Sequence, residues 1–262
     1  MASQAPNTLP LLYNGLEPLN RNAHGNYKVR RLTGLDRVAT NHAIPVTVDE
    51  FSIVQRHFPI VFSSGDNPVP IVLMGLHEGT NTFFDENGVA REPQIYIPAY
   101  MRRYPFVLAK LRDDSDELSL CFDPTTGAVG EFDDGEPLFV DGEPSEATKA
   151  ILQFCEQFEQ AGHRTQAFMN EVKELGLLME GEVAIQPEGA DQPYIYRGFQ
   201  MVDEEKFRNL RGDELRKLNQ NGILSLLMAH MFSLSVIREI FARHVQQGTG
   251  PVQLRQPATA DA

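Results

Sequence analysis

The chain is 262 residues long and 42% hydrophobic, with 36 Asp and Glu against 23 Lys and Arg, a formal net charge of −13. That apolar content buries a substantial core, which excludes a wholly disordered chain, and the charge opposes broad contact with nucleic acid or an anionic membrane surface, because both demand concentrated Lys and Arg. The cysteines, Cys121 and Cys155, lie far apart without CxxC spacing and read as two buried thiols in a reducing compartment.

Residues 1–40 are rich in Asn, Gly and Leu, show no sustained period, and are expected to wrap the domain that follows. Residues 1–12 lack the basic start and apolar run of a signal peptide, so the expected location is the cytoplasm, with a signal-independent export route left open. A few local basic spots stand out, Lys28, Arg30, Arg31 and Arg37, then Arg102, Arg103, Lys110 and Arg112. A small anion suits such spots better than a polyanion.

Residues 41–246 read as one α+β domain, strand-rich to about residue 143 and helix-rich after it. Phe51-Ser52-Ile53-Val54 predicts a helical turn. Residues 59–62 and 70–74 are apolar runs separated by Gly65, Asp66, Asn67 and Pro68, which predicts a hairpin, and Asn87-Gly88 suits a second one after Phe83-Phe84. Residues 106–110 and 118–122 predict two more strands around the polar turn Asp113-Asp114-Ser115-Asp116. The acidic stretch 130–146 lacks the register of a calcium loop and is expected to be a solvated loop crossed by one short strand. Ile151, Phe154, Phe158 and Ala161 recur at helical spacing, with Ser145 as cap and Gly162 as stop, and Phe168, Val172 and Leu175 predict a second helix closed by Gly176. Short extended pieces follow over 177–202. Asp203 and Asp213 each predict a helix start, and Asn221-Gly222 precedes a long apolar helix from Ile223 to about His244. Its apolar stretch, about 15 residues, is shorter than the roughly 20 that cross a bilayer, so a buried helix and no transmembrane segment are expected. Residues 247–262 are expected to be a disordered tail.

The densest motif is Tyr96-Ile97-Pro98-Ala99-Tyr100-Met101-Arg102-Arg103-Tyr104-Pro105-Phe106. Pro98 and Pro105 leave room for no more than a short helical turn between them. Arg102 and Arg103 are candidate contacts for a carboxylate or phosphate, with Tyr100 and Tyr104 as stacking walls. The competing reading is that the arginines pair with internal carboxylates while the aromatics fill the core.

Catalytic signatures for nucleotide binding, nucleophile elbows and zinc proteases are absent; His77-Glu78 is followed by Gly79-Thr80-Asn81 rather than by a second histidine one turn on. No metal site and no cofactor are expected, and the balance favours a non-catalytic protein. His230, mid-helix with Ser233 one turn on, is the best candidate for a general base, against the plainer reading of a core histidine.

The arginine motif, with Phe58-Pro59-Ile60-Val61-Phe62, Gly198-Phe199, Asp203-Glu204-Glu205-Lys206 and Ala229-His230, resembles the bacterial SapC family over residues 42–241. The resemblance implies a bacterial origin and a connection with surface-layer biogenesis, without an established reaction. Together these expectations describe an accessory protein that recognises an anionic small molecule or peptide, with cell-surface biogenesis proteins as partners and no nucleic acid. An enzyme using His230 and a structural surface-layer subunit are the rivals.

Overall fold

In the computed structural model, residues 9–111, 117–186 and 193–249 are described; the turn foreseen at residues 113–116 and nearly all of the C-terminal tail lie outside them. The chain folds as a mixed α+β protein. It divides into two compact units, each drawn from two separate stretches: Met1–Gly34 with Ala99–Gln160, and Leu35–Pro98 with Ala161–Ala262.

In the first unit the apolar runs after the arginine motif pair as foreseen. Strands Phe106–Lys110 and Leu118–Phe122 form an antiparallel hairpin in the register Phe106↔Phe122, and Glu17–Pro18 adds to the far edge of the second strand. A second sheet places Lys28–Val29 between Val129–Gly130 and Glu136–Pro137. The opening 40 residues therefore do more than wrap: two of their dipeptides are sheet strands, too short to leave a period in the sequence. The acidic stretch also differs from the single strand expected of it, because Phe139–Val140 pairs with Glu143–Pro144 beyond Glu136–Pro137. Phe106, Phe122, Val129, Leu138 and Cys155 form the buried core, with Leu19, Tyr27 and Ile151 packed against it.

The second unit is built on a five-stranded antiparallel sheet in the spatial order Leu178–Glu180, Phe199–Val202, Ile60–Ser63, Pro70–Leu73, Ala43–Pro45. The predicted turn Phe51–Val54 is helical, and Ile60–Ser63 pairs with Pro70–Leu73 as the expected hairpin. The Asn87-Gly88 turn closes a single bridge, Phe84↔Ala90, rather than a full ladder. Asp203 accepts from the amides of Glu205 and Lys206 at 3.1 Å each and starts helix Glu204–Arg208. The next helix, Gly212–Gln220, begins one residue before Asp213; the Glu214 carboxylate reaches back to the Arg211 amide at 2.9 Å and caps it instead.

Two helices differ from expectation. Ser145 caps as foreseen, its hydroxyl accepting from the Thr148 amide at 3.1 Å, but the helix it starts runs unbroken from Glu146 to Glu174. Gly162 does not stop it, because the backbone there stays helical and the apolar positions on both sides continue one stripe. Gly176, at φ 65°, is the residue that ends it. The final helix, in contrast, is interrupted: Ile223–Ser233 and Ile237–Gln246 are joined by a 3-10 turn at Leu234–Val236. The combined segment Ile223–Gln246 is longer than the apolar run suggested and is long and apolar enough, by length and composition alone, to cross a membrane.

Candidate functional site

Two prolines confine the arginine motif to one helical turn, Ala99–Arg102, and that turn sends its two arginines to different places. Arg102 is exposed, with its guanidinium carbon 5.3 Å from the centre of the Phe154 ring. Arg103 points inward and its side chain is only 7% exposed. Its guanidinium carbon lies 4.4 Å from the centre of the Tyr100 ring, 4.3 Å from that of Phe158 and 6.0 Å from that of Tyr13. Cation–π attraction of this kind offsets part of the cost of taking a permanent charge out of water. Glu159 supplies a countercharge, its Oε1 lying 3.6 Å from Nη1. The Arg103 Nε is buried and has no hydrogen-bond partner.

The tyrosines around this cation are fixed by their hydroxyls. Tyr100 donates to the Leu11 carbonyl at 3.0 Å and Tyr13 to the Phe106 carbonyl at 2.7 Å. Tyr104 packs edge-on against Tyr13, with ring centres 5.1 Å apart, and its hydroxyl donates to Asp123 at 3.2 Å. Burial holds the hydroxyls of Tyr13 and Tyr100 above the usual phenol range, and the neighbouring Arg103 charge partly opposes this. Of the two expected stacking walls, Tyr100 is one; the second ring close to the guanidinium is Phe158, which reads in the sequence only as part of a helical stripe.

Asp123 is the hub that sequence reading misses. It is fully buried, and its carboxylate accepts from the amides of Asn14 and Thr125 at 2.9 Å each, from the Thr125 hydroxyl at 2.7 Å, and from Tyr104. It thus ties Asn14 and Tyr104, from two other stretches of the chain, to its own turn at the end of a strand. Asp-Pro-Thr-Thr-Gly is a turn signal in the sequence, but nothing there announces long-range partners.

Two members of the other basic cluster meet the acidic stretch. Arg30 pairs with Asp134 and stacks on Phe132, with 3.7 Å from its guanidinium carbon to the ring centre, while Lys28 donates to the Asp133 carbonyl at 2.7 Å.

His230 and Ser233 are brought together, on the face of their helix that covers the sheet. Both are fully buried. His230 Nδ1 lies 2.8 Å from the Ile60 carbonyl and Nε2 accepts from the Val202 amide at 3.1 Å, which assigns the neutral tautomer with the proton on Nδ1. The Ser233 hydroxyl accepts from the Ile60 amide at 2.8 Å and donates to the His230 carbonyl at 2.6 Å. Burial pulls His230 down to about 4. Both ring nitrogens are spent on strand backbone, so the arrangement fastens a helix to a sheet and leaves neither nitrogen facing a substrate. His244 does the same further on: it is fully buried, accepts from the Leu76 amide at 2.9 Å, contacts the Thr249 hydroxyl at 2.8 Å, and is pulled down to about 4 by burial.

Cys121 and Cys155 are free and buried. Burial pushes the Cys155 thiol up to about 11, so it is not a poised nucleophile. Among the described residues, no group of three or more His, Cys, Asp or Glu could hold a metal ion.

A family model described as SapC matches residues 19–240. No curated protein and no solved structure matches the chain. With the match covering most of its length, the chain belongs to the SapC family.

Proposed function

We propose that this member of the SapC family is a non-catalytic accessory protein of cell-surface biogenesis, acting from the cytoplasm, that recognises an anionic group of a small molecule or peptide through Arg102 and Arg103. The observation that carries the reading is the pairing of one exposed arginine with a neighbouring buried one whose Nε has no hydrogen-bond partner, in a chain of net charge −13. A buried cationic donor left open is costly, and an anionic ligand is the group that would use it. Arg102 would make the outer contact, stacked on Phe154, while Tyr100 and Phe158 hold Arg103 in place. The His230 reading gains no support from the geometry, because the backbone of two strands takes up both of its nitrogens.

The test is native mass spectrometry of the protein purified gently from its host, before and after denaturation, on wild type and Arg102→Glu. Wild type is expected to carry a mass excess that disappears on denaturation and is lost or much reduced in the variant, at unchanged melting temperature. A ligand retained in full by Arg102→Glu overturns the role given to the motif. An intact surface layer in cells lacking the protein overturns the link to surface biogenesis.

A further inference from the structure

We infer that the group taken at Arg103 is a carboxylate, and that Glu159 is the chain's own stand-in for it, displaced when ligand arrives. This rests on the anion-recognition reading above and narrows it. Glu159 has the right chemistry at the wrong distance: 3.6 Å between Oε1 and Nη1 is within reach of an ion pair but longer than a charge-assisted hydrogen bond, which closes at about 2.7–2.9 Å. Glu159 therefore does not satisfy the guanidinium, which also has the Tyr100 hydroxyl within hydrogen-bonding reach, and the Arg103 Nε has no partner.

The exposures show which member of the pair can move. Arg103 is 7% exposed and is held by the rings of Tyr100 and Phe158, whose centres are 6.1 Å apart. Glu159 is 38% exposed, so it can rotate into water without leaving a buried charge behind. A planar carboxylate matches the in-plane donors of a guanidinium two to two, as Glu159 at its present distance does not. Phosphate fits less well. It carries up to two charges into a neighbourhood that already holds Glu156 and Glu159, both close enough to act on the Cys155 thiol. Exchange of one singly charged carboxylate for another leaves the local charge unchanged once Glu159 has swung into solvent.

The experiment follows the arginine Nε–H resonances of ¹⁵N-labelled protein while sodium acetate or inorganic phosphate is added at constant ionic strength. The Arg103 signal is assigned by its loss in Arg103→Lys. Acetate is expected to shift it saturably in wild type, phosphate more weakly, and Glu159→Gln is expected to saturate at roughly five- to tenfold lower acetate, the factor given by removing a partly screened competing charge. Because Glu159 is partly exposed, the glutamine variant keeps the fold, which a matching melting temperature checks. If acetate binds wild type and variant equally, or phosphate binds better than acetate, carboxylate exchange is overturned while anion recognition stands. If neither anion moves the resonance in either protein, anion recognition at Arg103 falls as well.

Discussion

Arg103 and His230 are both buried nitrogen-bearing side chains, and they meet burial in opposite ways. An arginine cannot shed its proton, so it must gather compensation, which Arg103 finds in two aromatic rings and a distant carboxylate. A histidine can, and His230 and His244 both become neutral, each accepting a backbone amide that a protonated ring would repel. The linkage sign follows. The folded value of about 4 is below the ordinary 6.5, so the unfolded chain takes up the proton first as pH falls. The contribution to stability is intact above about pH 6.5 and is lost progressively down to about pH 4. His230 should remove roughly 2 kcal/mol between pH 7 and pH 5, and His244 acts in the same direction. Urea titrations at the two pH values check this. His230→Gln, less stable at pH 7 by about 2–3 kcal/mol through lost backbone partners, should show the shallower pH dependence of the two proteins. Equal slopes would mean that His230 is not the titrating group.

At the scale of the element, Gly162 is the informative residue. In the sequence it falls between two amphipathic repeats and reads as a boundary; in the structure it lies inside a 29-residue helix. Glycine costs a helix interior about 1 kcal/mol relative to alanine, too little to end a helix whose apolar stripe continues past it. A Cβ placed there meets nothing within 4 Å. Gly162→Ala is therefore expected to raise stability by roughly 0.5–1 kcal/mol, read as a higher urea midpoint at unchanged slope; a lower midpoint would mean that the position needs glycine. The same contrast explains what could be read in advance. The hairpins at 60–73 and 106–122 were legible because each strand is four or five residues dominated by apolar side chains. Strands of two residues such as Glu17–Pro18 and Lys28–Val29 exist only because a partner strand is present, and no local pattern encodes them. The arginine motif was legible as chemistry, and Tyr100 as a wall of it, whereas Phe158, Glu159 and Asp123 reach it from 20 to 56 residues away along the chain.

Across the whole molecule, the thiols and the histidines depressed by burial sort by unit. Both cysteines belong to the first, and His42, His230 and His244 to the second. Each unit thus contains its own chemical probe. In the native protein at pH 7, a thiol reagent such as DTNB is expected to modify neither cysteine on the timescale of minutes, with two equivalents reacting once the chain is denatured. Rapid native labelling would show that the core around Phe106, Phe122 and Cys155 opens far more readily than its burial implies.

The chain contains no tryptophan, so its near-ultraviolet emission comes from seven tyrosines alone. Two of them, Tyr13 and Tyr100, lie against the Arg103 cation and a third, Tyr104, packs on Tyr13; each donates its hydroxyl proton to a carbonyl or carboxylate oxygen, an environment that ordinarily dims phenol light. The protein therefore has a built-in lamp beside its candidate site, and rearrangement around Arg103 can be watched as a change in brightness without any added label.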